Sequence, residues 1–211
     1  MIVLDLFSGL KGWSAPWAGI PEHSVLTADN VPAFKADYQG DLGDVGAFLA
    51  WYWSQHHVRP DVILASPPCT SFSTMTMGKM WTHDGQPKHQ TAVDGQRLVL
   101  ATVRIIAALR PQWWIIENPR ARLRSLPFLE GFERRTVTYC QYGEDRMKPT
   151  DLWGVFPPTL KLKPPCKNGD PCHIASPRGS RNGTQGLGSA VAGLIPWALA
   201  EDVRKAIEEY P

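Results

Sequence analysis

Cysteine is scarce in this chain of 211 residues: there are four, irregularly spaced, with no C-x-x-C pair. That argues against a disulfide-dense secreted scaffold and makes reduced cysteines, catalytic or metal-bound, the expectation. Long apolar runs are also missing, so no stretch reads as a membrane-spanning helix and no membrane partner is expected. The start, MIVLDLFSG, is apolar but lacks a basic flank, and does not read as a signal peptide. A cytoplasmic location follows as the expectation. There is no phosphate-binding Gly-Lys-Ser/Thr loop, no full G-x-G-x-x-G and no internal repeat.

Charge of either sign is modest, with a formal net of +2, but it is unevenly spread. Residues 1–50 carry two bases (Lys11, Lys35) against six acids, whereas Lys161, Lys163, Lys167, Arg178 and Arg181 face one acid, Asp170. Such asymmetry fits a C-terminal half that meets an anion such as nucleic acid, and equally a solvated face.

What is present is an alternation. Short, near-continuous apolar runs at Ile2–Phe7, Ser24–Ala28, Asp61–Ala65 and Trp113–Ile116 suit strands covered on both faces. Between the last two, Leu98, Ala101, Ile105 and Leu109 mark a helix over Gln96–Arg110, closed by Pro111. The pattern predicts an α/β fold, an open, doubly wound, mostly parallel sheet. Arg134–Gly143 reads as an amphipathic strand. Residues 156–187 read as a short irregular insertion within a single domain spanning 1–211. Pro196–Tyr210 reads as a helix with Trp197, Ala200, Val203 and Ile207 buried. In open sheets, ligands gather beyond the carboxyl ends of the strands.

Each strand ends in a chemically pointed turn. Asp5–Gly12 (DLFSG-LKG) allows close backbone approach to a nucleotide-like ligand, with Asp29 and Asp41 as acids at the same edge. In LASPPCTSFS, Pro67 and Pro68 stiffen the turn before Cys69, a candidate nucleophile placed just past a strand end. Glu117 emerges from the apolar run WWII, so its carboxyl is expected to be desolvated and inclined to hold or share a proton. Trp113 and Trp114 read as core. Trp81, in the polar, glycine-containing loop MGKMWTHDG, reads as an aromatic packed locally.

Taken together, Asp5-Leu6-Phe7-Ser8-Gly9, Pro67-Pro68-Cys69, Glu117-Asn118-Pro119 and Gly188-Ser189-Ala190-Val191 resemble, in order and spacing, the DNA cytosine-5 methyltransferases. The likeness spans nearly the whole chain. It implies a Rossmann-like methyltransferase fold, an enzyme, and S-adenosyl-L-methionine as cofactor. Phe7, Ser8, Gly9, Pro67, Ser189, Ala190 and Val191 would then line the cofactor pocket. Asp29 would hold its ribose and Asp41 its adenine. The resemblance further implies that Cys69 attacks C6 of a cytosine flipped out of the stack, since an in-stack base cannot be reached. Glu117 would bind the ring edge, and Arg146, in YGEDRMKPT, would be the basic residue near the base. DNA, duplex or single-stranded, is the expected partner of a monomer of restriction-modification or phage type.

The chain departs from the family at Lys11-Gly12 in place of two glycines, at Glu-Asn-Pro, at Cys-Thr-Ser and at Ser189 in place of Asn. About forty residues separate the Arg146 motif from Gly188, which leaves little room for a target-recognition region and predicts low sequence specificity. A different donor at the same Cys–Glu pair, RNA as substrate, and a non-catalytic nucleic-acid binder are the alternative readings. Finally, Cys140, Cys166, Cys172 and His173 match a structural zinc site in ligand type but not in spacing, so unrelated thiols are the competing expectation.

Overall fold

The computed structural model describes residues 1–74, 76–174 and 187–210, leaving aside the side chain of Ser189. Arg178 and Arg181 of the basic stretch, and the centre of the expected insertion, lie outside the described residues. Seven strands form one sheet: β1 (Ile2–Leu6), β2 (Ser24–Asp29), β3 (Tyr38–Gln39), β4 (Val62–Ala65), β5 (Trp113–Pro119), β6 (Glu133–Thr138) and β7 (Pro149–Val155). Their spatial order is β3-β2-β1-β4-β5-β7-β6. The first five are mutually parallel, and β7 runs antiparallel to both β5 and β6. The chain winds outward from β1 to β3, then returns to place β4 on the other side of β1. That reversal creates a crevice at the carboxyl ends of β1 and β4.

Why the strands read as apolar runs is visible in their alternation. Leu4, Leu6, Ile63, Ala65, Trp114 and Ile116 enter one buried cluster, packed on α1 (Val45–Gln55) and α3 (Gln90–Leu109). Val3, Val62, Leu64, Trp113 and Ile115 enter a second cluster with Trp13, Trp17 and the helix α5 (Trp197–Glu208). Successive side chains point to opposite faces, so a strand covered on both sides must be apolar at every position. Trp113 and Trp114 are both core, one on each face. No helix among the described residues is long and apolar enough to cross a membrane.

Three expectations shift. Helix α3 begins six residues before Gln96, because Gly95 sits inside it: a Cβ there would lie 3.2 Å from Phe72 and Ser71. The glycine is the price of close approach to the turn carrying Cys69, and the Ser71 hydroxyl donates to the Thr91 carbonyl at 2.8 Å. Trp197 is exposed, and the buried stripe of α5 is Leu199, Ala200, Val203, Ala206 and Ile207. The strand expected over Arg134–Gly143 ends at Thr138 and gives way to a 3₁₀ turn, Tyr139–Tyr142. Two short α-helices also lie among the described residues, α2 (Met77–Met80) and α4 (Ser189–Gly193).

Candidate active site

A cleft of about 410 Å³ opens at the strand ends, and the side chains of four separate motifs meet in it. Its floor is the turn after β1. Phe7 (φ 58°), Gly9 (φ 48°) and Lys11 (φ 60°) all adopt left-handed backbone, which costs a non-glycine residue free energy. Lys11 therefore takes the conformation that glycine would take without strain. Gly12 is a glycine for another reason: a Cβ would come within 2.8 Å of the Ile195 backbone nitrogen, so the turn nests against the segment after α4.

The end of the cleft beside β1 and β2 is polar and pre-arranged. Asp29 is buried, and its two carboxylate oxygens accept the backbone N–H of Gly9 (3.0 Å) and of Val31 (2.9 Å). Each oxygen keeps a further lone pair for a ligand hydroxyl. Ser8 Oγ is buried without a hydrogen-bond partner among the described residues, an open valence in the wall of the cleft. A partnerless buried hydroxyl, an acid with spare lone pairs and a strained glycine turn fit a nucleoside-bearing cofactor. Phe7, Ser8, Gly9, Asp29, Pro67 and Ala190 all line the cleft.

At the opposite end of the cleft, Cys69 opens a 3₁₀ turn directly after Pro67-Pro68. Its thiol is pushed above the usual range, first by burial and then by the charge of Glu117, while Lys148 pulls it down. The resting side chain is thus a thiol rather than a thiolate. Glu117 is buried on β5, as its apolar approach implied. Its Oε1 accepts from the Tyr139 hydroxyl at 3.0 Å and lies 3.7 Å from Lys148 Nζ. Burial and the Glu117 charge hold Tyr139 well above the usual phenol range, so it remains a donor. Lys148 Nζ also sits over the Tyr139 ring, 4.3 Å from its centre. Asn118 Nδ2 donates to the Pro67 carbonyl at 2.9 Å, joining the two motifs directly.

The structure does not bring every expected residue into the cleft. Arg146 is buried but turns to Glu144, with which it pairs, and it is not among the cleft-lining residues. The base that reaches Cys69 and Glu117 is Lys148, two residues on; the alternation of an extended segment sends positions 146 and 148 the same way only where that segment is regular, and β7 begins at Pro149. Nothing in the stretch DRMK itself tells which of its two bases turns to Glu117. Asp41 is half exposed, pairs with Arg97 (2.9 Å) and accepts from the Gly43 N–H, so it does not line the cleft either. Val191 is exposed and outside the wall, the Ser189 side chain lies outside the described residues, and Gly193, Leu194 and Ile195 supply that side instead. Trp81 is buried, stacked on Phe72, and donates to the Ser71 carbonyl, so it is packed locally and does not project. The four metal-type ligands Cys140, Cys166, Cys172 and His173, distant in sequence, converge into one cluster.

A mostly parallel sheet with its crevice at the β1–β4 reversal, together with this strained first turn, defines the Rossmann-like methyltransferase class. Residues 1–125 match the family described as C-5 cytosine-specific DNA methylase, and the chain belongs to that family of enzymes. It is 30% identical over 179 residues to the "Probable DNA (cytosine-5)-methyltransferase" of Frog virus 3 (isolate Goorha), covering 80% of this chain and 78% of that one. It is 27% identical over 136 residues to the "Type II methyltransferase M.HgiGI" of Herpetosiphon aurantiacus, covering 60% of this chain and 97% of that protein. Among solved structures, the "putative DNA modification methyltransferase encoded within prophage Cp" of E. coli superposes with a TM-score of 0.53 at 16% identity, over 79% of this chain and 52% of that one. The Entamoeba histolytica methyltransferase EhMeth gives 0.51 at 15% identity, over 79% and 57%. The chain thus spans little more than half the length of these two structures.

Proposed function

We propose that this protein methylates C5 of cytosine in DNA through a covalent adduct between Cys69 and C6 of a base turned out of the stack. The observation that carries the reading is the meeting of Cys69, Glu117 and Lys148 in the same cleft as the Ser8–Gly9 turn and Asp29. S-adenosylmethionine, when bound, would supply a methyl group by cleavage of its sulfonium S–CH3 bond and leave as the neutral thioether. Asp29 would hold its ribose hydroxyls, and Ser8 and Phe7 would flank it.

The chemistry asked of the chain is the activation of a poor carbon nucleophile. Cys69 Sγ loses its proton to solvent and forms a bond to C6, which moves electron density to C5. Glu117, positioned by Tyr139 and protonated from solvent as the base binds, donates to N3 as negative charge develops there and takes that proton back when the ring is restored. C5 then takes the methyl group, its proton leaves to water, and the S–C6 bond breaks to restore the aromatic ring and free Cys69. Protonation at rest and activation on binding are linked. Burial is the first cause that holds the thiol up and the Glu117 charge the second; a base that engages Glu117 relieves only the second, with Lys148 acting in the same direction. An idle enzyme therefore carries a less reactive sulfur.

The test is nucleoside mass spectrometry of DNA incubated with the protein and S-adenosylmethionine, beside Cys69→Ala. A cytidine species heavier by one methyl, absent with the variant, is the expected outcome. A different added mass would reassign the donor. Unchanged DNA and RNA, with no cofactor binding by calorimetry, would overturn the reading.

A further inference from the structure

We infer that Cys140, Cys166, Cys172 and His173 form a structural zinc site that staples the lysine-bearing loop after β7 to the turn behind the catalytic acid. Four side chains from three separate stretches present their ligand atoms within 4.8 Å of one another. Cys140 Sγ lies 3.2 Å from Cys166 Sγ and 3.7 Å from Cys172 Sγ. His173 Nδ1 lies 3.7 Å from Cys166 Sγ and 3.5 Å from Cys172 Sγ. A tetrahedral zinc ion with bonds of about 2.3 Å to sulfur and 2.0 Å to nitrogen requires S···S edges of about 3.8 Å and S···N edges of about 3.5 Å. Three of these four edges lie within about 0.2 Å of those values, and the Cys140–Cys166 edge is shorter. A disulfide does not explain it: the shortest S···S separation is far longer than a bond of about 2.05 Å, and all four cysteines are free.

The surroundings suit an ion of this kind. Three thiolates, a neutral imidazole and a divalent cation sum to one negative charge. Gln141 Nε2 lies 3.3 Å from Cys172 Sγ, placed to donate to it, and Lys163 Nζ donates to the neighbouring Gln141 carbonyl at 3.0 Å. His173 Nε2 is buried without a partner among the described residues. With the ring proton on Nε2, the Nδ1 lone pair is directed toward the sulfurs. Adjacent Cys172 and His173, a combination the sequence leaves doubtful, can both reach because the backbone turns at Pro171–His173.

The metal has mechanical work to do here. From Phe156 to Ile174 the chain forms no helix or strand, and it is held by scattered contacts. The Arg135 guanidinium donates to the Leu160 carbonyl, the Lys163 N–H to Tyr142 Oη, and the Cys166 N–H to Thr138 Oγ1. A segment with so small a core gains its order from a bound ion. The staple's fixed end is the Tyr139–Tyr142 turn, whose first residue donates to Glu117. Its free end displays Lys161, Lys163 and Lys167, all exposed.

The inference does not depend on the reaction, and its test reads the metal and the loop rather than activity. Full-length protein purified under reducing conditions without chelator is expected to carry one zinc per chain by elemental analysis and native mass spectrometry. Cobalt(II) exchange is expected to give the intense visible bands of tetrahedral thiolate coordination. Cys172→Ser and His173→Ala should lose the metal, and Cys69→Ala should keep it. If the ligand variants do not fold, mercurial titration of the wild-type protein reads the same property as one equivalent of zinc released. Trypsin should cut after Lys161 and Lys167 readily once zinc is chelated, and poorly before. Substoichiometric metal without cobalt bands, the mass loss of a disulfide, or cleavage indifferent to chelation would overturn the proposal.

Discussion

Asn118 and Pro67 are 51 residues apart in the chain, and the Asn118 amide donates to the Pro67 carbonyl across 2.9 Å in the buried wall of the cleft. Proline cannot offer a backbone donor of its own, but its carbonyl still needs one once buried. The bond therefore fixes the approach to Cys69 from the strand that carries Glu117. Asn118 Oδ1 has no partner among the described residues, so the donor half of the amide is what matters. Asn118→Ala is expected to destabilise the protein by about 1–3 kcal/mol, the cost of an unsatisfied buried carbonyl. The checks are thermal unfolding and the rate of Cys69 adduct formation on a mechanism-based fluorocytosine duplex, both of which should fall.

Lys148 is the cation that favours the Cys69 thiolate. Lys148→Met should lower kcat by roughly 10- to 100-fold, the size of a lost charge-assisted contact. Removing the cation raises the thiol further, so the rising limb of the pH–rate profile should move to higher pH. Lys148→Arg should restore much of the limb's position. An unchanged limb in Lys148→Met would remove Lys148 from thiol activation.

Tyr139→Phe deletes one hydroxyl and keeps the ring packed. Glu117 then loses the donor at 3.0 Å. The expected result is a drop in kcat of about tenfold with KM for S-adenosylmethionine unchanged, because the Asp29 end of the cleft does not use this bond. Steady-state kinetics separate the two parameters.

Asp5 supplies a pH dependence of stability. Burial pushes its carboxyl up to about 7, although the Ser14 hydroxyl and N–H both donate to it. The folded pKa lies above the unfolded one, so the folded state binds the proton more tightly. Stability from this group is present in full below the unfolded value of 3.8, declines as pH rises, and is lost as pH passes about 7. Asp5→Asn, which stays neutral, should therefore gain in Tm relative to the wild type as pH is raised from 5 to 8. Thermal scans across that range test the sign.

Much of this molecule is legible in one dimension. Strands covered on both faces announce themselves as unbroken apolar runs, and four of the five parallel strands were readable for that reason. The two-residue β3 is too short to leave a pattern. Helix α1 was not readable because VGAFLAWYWSQ is apolar nearly all round, without a stripe to mark a buried face. The N-cap that starts it, Asp44 accepting from the Ala47 N–H, is one side chain among several acids.

The sequence by itself determined the order of the motifs, the strand-end positions of Asp29 and Cys69, and the chemistry each side chain can perform. Those are local properties, set by the residue and its neighbours along the chain. By contrast, β5 runs on past Glu117 to Pro119 because β7 pairs with it there. Only the tertiary structure decided which basic residue meets Glu117, since Arg146 and Lys148 differ by how the backbone turns into β7, and not by type. It likewise decided that Asp41 pairs with Arg97, and that Cys140, Cys166, Cys172 and His173 share one point in space. Convergence of that kind is fixed by the pairing of β5, β6 and β7 and the path of the loop behind them, and spacing along a chain carries no record of it.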